Sequence, residues 1–324
     1  MKQLIFRSAL PLLAAVWILS ACEHKELCYE YPHMASVRVD FDWRDAPDAS
    51  PAGMCVFFYP EDEEGRVRRY DFRGTTGGQI DIPVGRYRVL CYNNDTEAVL
   101  FDGTESYDNH RAFTRDGDLF ESIYGSTATH APRADGAEGE RVVISPDMMW
   151  GCTATEVDID APIVHANQVV TLYPHELVCT YTYEIRHVTG LENASQMCGS
   201  LSGMAPSLLL ATETLDSECV TLPFAASFDG DSTVVGRFLT FGHAPENPQP
   251  HRMLLYVWMR DGSRFCYGTE GGKFDVTEQI HSAPDRRHVH LVIDGLDLPK
   301  PIGDDGNFDA SADDWQEINE DIHI

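Results

Sequence analysis

Positive charge is what this chain has least of. Its 324 residues carry 24 Lys and Arg against 52 Asp and Glu, a formal net charge of −28. Binding a phosphate backbone needs clustered Lys and Arg, so nucleic acid is excluded as a partner. The acidic excess bears on solubility rather than on fold. Beyond residue 21 there is no apolar run long enough to span a bilayer as a helix. No CxxC pair occurs among the nine cysteines, so a zinc ribbon or a thioredoxin-like site has no support. Helical periodicity is scarce, and short helices are expected only near 206–212 and 277–281.

The catalytic motifs that come nearest also fail. Gly199-Ser200-Leu201-Ser202-Gly203 has the outline of a nucleophile elbow, but its centre is Leu201 where a Ser is required. Gly268-Thr269-Glu270-Gly271-Gly272-Lys273 suggests a phosphate loop, yet Phe274 stands where Ser or Thr would hold the metal. His288 and His290 share one face of a strand without a local third ligand, beside Arg286 and Arg287. His175, His243 and His251 lie by Pro-rich turns without a pattern. The acidic turns Asp116-Gly117-Asp118 and Asp229-Gly230-Asp231 do not complete a calcium loop. No catalytic residue, metal site or cofactor is therefore expected, and the chain reads as a non-enzyme.

The N-terminus is more informative. Lys2 and Arg7 precede an apolar stretch from Ala9 to Leu19, followed by Leu19-Ser20-Ala21-Cys22. A positive start, a short apolar run and small residues before a cut describe an export signal. The Leu-Ser-Ala-Cys order resembles the bacterial lipobox, in which the Cys is acylated and becomes the new N-terminus. Residues 1–21 are thus expected to be a signal peptide, Cys22 the lipidated residue, and 22–35 a tether. Losing Lys2 and Arg7 leaves 22 basic against 52 acidic residues, a formal charge of −30. In an oxidising compartment the remaining cysteines (28, 55, 91, 152, 179, 198, 219 and 266) can pair. Their wide spacing, and strand patterns around 55, 91, 179 and 266, equally suit buried free thiols.

Beyond the tether the pattern is strand after strand. Val37, Val39, Phe41 and Trp43 alternate with Arg38, Asp40 and Asp42, the period of a half-buried strand. Further strands are expected over 54–59, 67–72, 79–82, 87–91 and 98–101. In the second half Cys179, Tyr181, Tyr183 and Ile185 share one face. Asp261-Gly262 between two strand-like runs signals a hairpin. Residues 126–141 read as a long loop. The composition predicts an all-β protein of β-sandwich domains, with 36–154 as the first and 155–300 as the second. Residues 301–324 form an acidic tail whose Phe308, Trp315, Ile318, Ile322 and Ile324 point to a partly docked strand. Tyr92, Tyr107 and Tyr124 fall near expected loops and are candidates for a glycan platform, against the plainer reading of core packing.

Pro83-Val84-Gly85-Arg86-Tyr87 resembles the P-x-G-x-Y step of fimbrillin-like proteins from the Bacteroidales. The lipobox, the alternating first strand and this step stand in the order of that group, and Ser311-Ala312-Asp313-Asp314-Trp315 resembles its closing strand. The mature chain as a whole is similar to a Bacteroidales lipoprotein family of unknown function. The stretches that carry this likeness are Cys22 to Cys28, Tyr173 to Leu177, Cys198 to Met204 and Pro250 to Trp258. The resemblance implies two tandem transthyretin-like, Greek-key β-sandwich domains. It also implies an outer-membrane, lipid-anchored surface protein and assembly with other pilin-like subunits by strand addition. In polymerising subunits the first strand is removed by cleavage after an Arg. Arg44 is the residue here that could serve, or it is simply an exposed turn residue. Two functions stand: a structural, anchor or adhesion component, and a surface module that captures glycan or another ligand.

Overall fold

A computed structural model describes residues 33–62, 65–120, 130–161, 168–230, 232–300 and 315–318. The expected signal peptide, Cys22, Cys28 and Tyr124 lie outside the described residues. The chain is all-β. The only α-helix among the described residues is Thr277–His281, where the sequence places one.

Two sheets build the first half. One has three strands, in the order Gln168–Leu172, Met34–Phe41, Gly78–Pro83. The other has five, in the order His175–Glu176, Trp150–Ile159, Gly85–Asn93, Gly53–Pro60, Arg68–Arg73. Their facing side chains share one core, which includes Val37, Val39, Val56, Phe58, Ile82 and Val89. The Gly53–Pro60 strand is buried on both faces, which explains why Met54 to Tyr59 is a continuous apolar run without alternation. Its second face, through Cys55, Phe57 and Tyr59, packs against Leu177, Leu208 and Phe241 from the later part of the chain.

The second half is again two sheets on a common core. A four-stranded sheet runs Ser227–Phe228, Val234–Thr240, Cys179–Thr189, His288–Asp297. A six-stranded sheet runs Trp315–Ile318, Arg264–Tyr267, Met253–Met259, Ala194–Met204, Val220–Ala225, Arg141–Val142. Tyr181, Tyr183 and Ile185 are buried from the first of these. Asp261 and Gly262 close the hairpin between Met253–Met259 and Arg264–Tyr267.

Three expectations change. The stretch 206–212 is not helical: Ser207–Leu209 is a strand that pairs with Arg111–Thr114, in a small sheet that draws on both halves. The division expected at 154 falls inside the Trp150–Ile159 strand, which pairs with Gly85–Asn93 on both sides of that point. Hydrogen bonding carries the first-half sheets on to Glu176. The segment 130–140 lacks regular structure, as a loop should, but it is packed. Ala134 and Ala137 are buried against Tyr256 and Cys266, and Arg133 donates to the Ala137 and Glu140 carbonyls and to Thr221.

Candidate functional site

The first strand, Met34–Phe41, is the central member of its sheet. It pairs parallel to Gln168–Leu172 and antiparallel to Gly78–Pro83, so both backbone edges are occupied. Ala35, Val37, Val39 and Phe41 point inward, and Val37 and Val39 are fully buried. The groove that receives them is lined by Ile80, Ile82, Val170 and Leu172 on the flanking strands and by Val56 and Phe58 on the facing sheet. A Cβ on Gly77 would stand 2.0 Å from the Val39 carbonyl oxygen, and Gly77 has φ +75°. Only glycine lets the chain turn that close to the strand.

The Pro83 to Tyr87 step closes one end of this groove. Pro83 ends the neighbouring strand, and the Val84 amide donates to the His33 carbonyl at 2.7 Å. The Tyr87 ring is buried edge-on to Phe58, and its hydroxyl donates to the Pro83 carbonyl at 2.8 Å. The turn and the core anchor are therefore one device.

At the other end the chain leaves the groove through Trp43, whose indole N–H donates to the Thr75 carbonyl at 2.8 Å. Arg44 comes next, in an exposed turn, its side chain 64% accessible. Its guanidinium pairs with Asp42 and lies 4.9 Å from the Tyr173 ring centre. The hydrogen bond from Arg44 holds the Asp42 carboxyl below its ordinary range. Beyond Arg44, residues 45–49 form the rim of a cleft of about 540 Å³ between the two halves, with Trp150, Glu176, Arg287 and His288 on its other sides. His175 hydrogen-bonds Glu213 at 2.6 Å, and Arg287 reaches the same carboxylate at 2.9 Å. The His175–Glu213 contact raises the His175 pKa and lowers that of Glu213.

His288 and His290 do share the exposed face of an edge strand, but each is taken by different carboxylates. His288 meets Asp285 and Glu176, and His290 meets Glu184. As placed, no three metal-ligating side chains among the described residues stand around one point. Tyr92 and Tyr107 are buried and form no glycan platform. Tyr92 packs edge-on against His110 and Tyr107 against Tyr59; the His110 Nδ1 lies 2.6 Å from the Tyr59 hydroxyl and its Nε2 lies 3.1 Å from that of Tyr92. Burial pushes the His110 pKa down to about 4. Gly199 to Gly203 lies within the Ala194–Met204 strand, far from the geometry of an elbow. No disulfide joins any two of the seven described cysteines; Cys91 and Cys152 face each other across paired strands, sulfur to sulfur at 3.3 Å.

Two arrangements had no signature in the sequence. One is the His110 cluster. The other is a triangle of His243, His251 and His281, whose members come from separate segments.

The family described as a domain of unknown function, DUF5119, matches residues 21–225. A Bacteroides ovatus protein named as a fimbrium anchoring subunit, Fim4B, is 28% identical over 249 residues, which cover 75% of this chain and 67% of that one. A crystal structure of a B. ovatus protein described as an adhesin superposes with a TM-score of 0.59 at 22% identity, covering 87% of this chain and 98% of the other. The fimbrial anchor protein Mfa2 of Porphyromonas gingivalis aligns with a TM-score of 0.45 at 16% identity, over 79% of this chain and 90% of its own.

Proposed function

The chain belongs to the DUF5119 family, and from that premise we propose that it is a non-enzymatic, fimbrillin-like anchor or adhesion subunit of the cell envelope. One observation carries the reading: the first strand is seated between two strands of its own chain, with Val37 and Val39 buried in the groove. In strand-addition assembly such a groove must be emptied before a neighbour's strand can enter. Here it is filled by the segment nearest the lipidation motif. The strand begins at Met34, two residues inside the expected 22–35 tether.

Acylation at Cys22 would fix the chain at the outer membrane just ahead of that strand. Cleavage after Arg44 would then part the body from its lipid. An uncut Arg44 suits an anchor, whose groove stays closed while other pilin-like subunits add elsewhere. The 28% identity to a protein named as a fimbrium anchoring subunit supports the same choice. The two sandwiches fit the tandem transthyretin-like arrangement that the sequence resemblance implies.

The test is made in the native cell. Radiolabelled palmitate should enter the wild type and not a Cys22→Ser variant. Protease shaving should release the body from intact cells, and crosslinking should recover it with pilin-like subunits. Full protection from external protease, or crosslinks to no subunit, would overturn the reading. A second reading, capture of a glycan or other surface ligand, has one observation in its favour. The cleft beside Arg44 sets Trp150 among Glu176, Arg287 and His288. Glycan-array binding abolished by Trp150→Ala would favour it over an anchor role.

A further inference from the structure

A sheet ends at its outermost strands, and one of those in the second half is long. His288–Asp297 has 10 residues and pairs, among the described residues, with Cys179–Thr189 alone. Val289, Leu291, Ile293 and Leu296 are buried in the core and hold the strand in place. Its other edge offers backbone N–H and C=O groups to any extended chain that approaches. Edges are commonly blunted by Pro or Lys on the strand, and this one contains neither. The groups along it must be satisfied in another way.

Gln279, on the short helix Thr277–His281, meets that need. Its Nε2 donates to the Val292 carbonyl at 2.9 Å, and its Oε1 accepts from the Val292 N–H at 2.8 Å. Directly opposed residues of antiparallel strands exchange both bonds in the same manner. The carboxamide therefore stands where the peptide groups of a pairing strand would stand. Its orientation is fixed, because a flipped amide would set donor against donor. Two more side chains extend the cover. The Lys273 ammonium donates to the Gly295 carbonyl, and the Tyr267 hydroxyl donates to the Asp297 carbonyl at 3.2 Å.

The helix has 5 residues, too few to persist unaided. Packing holds it: Phe274, Val276 and Ile280 are buried in the second-half core. The Asp275 carboxylate accepts from the Thr277 N–H at 3.0 Å and from the Thr277 hydroxyl at 2.6 Å. The His251 N–H donates to the Thr277 hydroxyl oxygen at 2.8 Å, which ties the helix start to the segment leading into Met253–Met259. Gln279 is half-buried beside these anchors. It covers the strand only while the helix is docked.

We propose that Gln279 is a surrogate strand and that the helix carrying it is an edge guard. While docked, the guard keeps the outer edge of His288–Asp297 from pairing with the same edge of a second copy. A second copy is the occupant excluded, because two identical edges can pair antiparallel about a two-fold axis. With that axis at Val292, the two Val292 residues would exchange N–H and C=O, as Gln279 does now. In the same register His290 stands opposite Asp294, and Leu291 opposite Ile293. Opposite charges and paired apolar side chains both favour such a ladder. The guard works alike in an anchor and in an adhesin, so it stands apart from that choice.

The test uses the full mature chain with Cys22→Ser, which removes the lipid expected there. Physiological salt screens the repulsion between acidic copies. Gln279→Met keeps the side-chain length, removes both hydrogen bonds and should leave circular dichroism unchanged. Hydrogen exchange followed by NMR should quicken about tenfold at the Val292 amide and stay as it was at Tyr181 and Tyr183. Sedimentation should show a monomeric wild type and a concentration-dependent dimer of Gln279→Met. Gln279→Glu keeps the bond from the Val292 N–H and loses the one to its carbonyl, so it should dimerise more weakly. Adding Val292→Pro removes the outward N–H, which edge strands tolerate, and should restore the monomer. Unchanged Val292 exchange, a variant that exchanges faster yet stays monomeric, or a dimer that survives Val292→Pro overturns the proposal.

Discussion

Arg38 lies inside the first strand, and trypsin can reach it only if that strand leaves its groove. Arg44 lies in an exposed turn six residues later and needs no opening. The ratio of the two cleavage rates therefore reports how often the strand is out. Val39 is fully buried, opposite Val170 on one side and Gly78 on the other. Val39→Ala removes two methyl groups, about 1.6 kcal/mol of transfer energy at about 0.8 each. A cavity contribution brings the loss to about 2 kcal/mol. When opening and closing are fast relative to cleavage, the rate tracks the open population. A loss of about 2 kcal/mol then raises Arg38 cleavage about thirtyfold. Ser36→Ala, on the exposed face, should change it by less than about threefold. Arg237, in a paired strand of the second half, is the control: its cleavage through local opening there should be unaffected, and a parallel rise at Arg237 would mark global unfolding rather than release of the first strand. Timed digestion with mass spectrometry reads all three sites. Wild-type cleavage at Arg38 as fast as at Arg44, or a Val39→Ala variant with an unchanged Arg38 rate, would refute the filled groove.

Cys91 and Cys152 are register partners with sulfurs 3.3 Å apart, separated by 61 positions in sequence. Exposure to an oxidising environment should join them, and closing a loop of that size stabilises by about 4 kcal/mol on the chain-entropy estimate. Non-reducing peptide mapping checks the link, and a Cys91→Ser variant should lose the increment. His110 is buried and neutral, with its pKa lowered to about 4 by desolvation. The unfolded chain therefore takes up a proton between pH 6.5 and 4 that the native chain refuses, and stability falls across that window by up to about 3 kcal/mol. Urea midpoints at pH 7 and pH 4.5 should diverge in the wild type and less so in His110→Gln. Glu213 holds the His175 pKa up, and His175 holds the Glu213 pKa down. The contribution of protonated His175 is full below its ordinary value and fades as pH rises through the raised one. That of ionised Glu213 fades as pH falls through its lowered one. Glu213→Gln should therefore cost most stability between about pH 5 and 6, and a loss that is flat from pH 5 to 8 would assign the effect to Arg287 alone.

Local alternation was enough to place most strands, because the period of two depends only on which side chains face a core. The first strand, the 179–185 face and the Asp261-Gly262 hairpin were legible for that reason. The 206–212 stretch misled because Leu208, Leu209 and Leu210 form a run that periodicity cannot assign. Its strand character comes from Arg111–Thr114, about a hundred residues away. The boundary at 154 failed on similar grounds. The strand containing it is held by pairing with Gly85–Asn93, and nothing local marks where one sandwich hands over to the next. Tyr92 and Tyr107 sat near turns in the sequence, yet a sheet drawn from both halves covers them.

The sequence by itself determined an acidic, all-β chain with an apolar face on its first strand, and its Leu19 to Cys22 stretch resembles a lipobox. These come from composition and short-range order. Only the tertiary structure decided that this strand is enclosed between Gln168–Leu172 and Gly78–Pro83, that Cys91 meets Cys152, and that three histidines cluster. Each of those depends on contact between segments far apart in the chain, where register and packing, rather than neighbouring residues, set the distance.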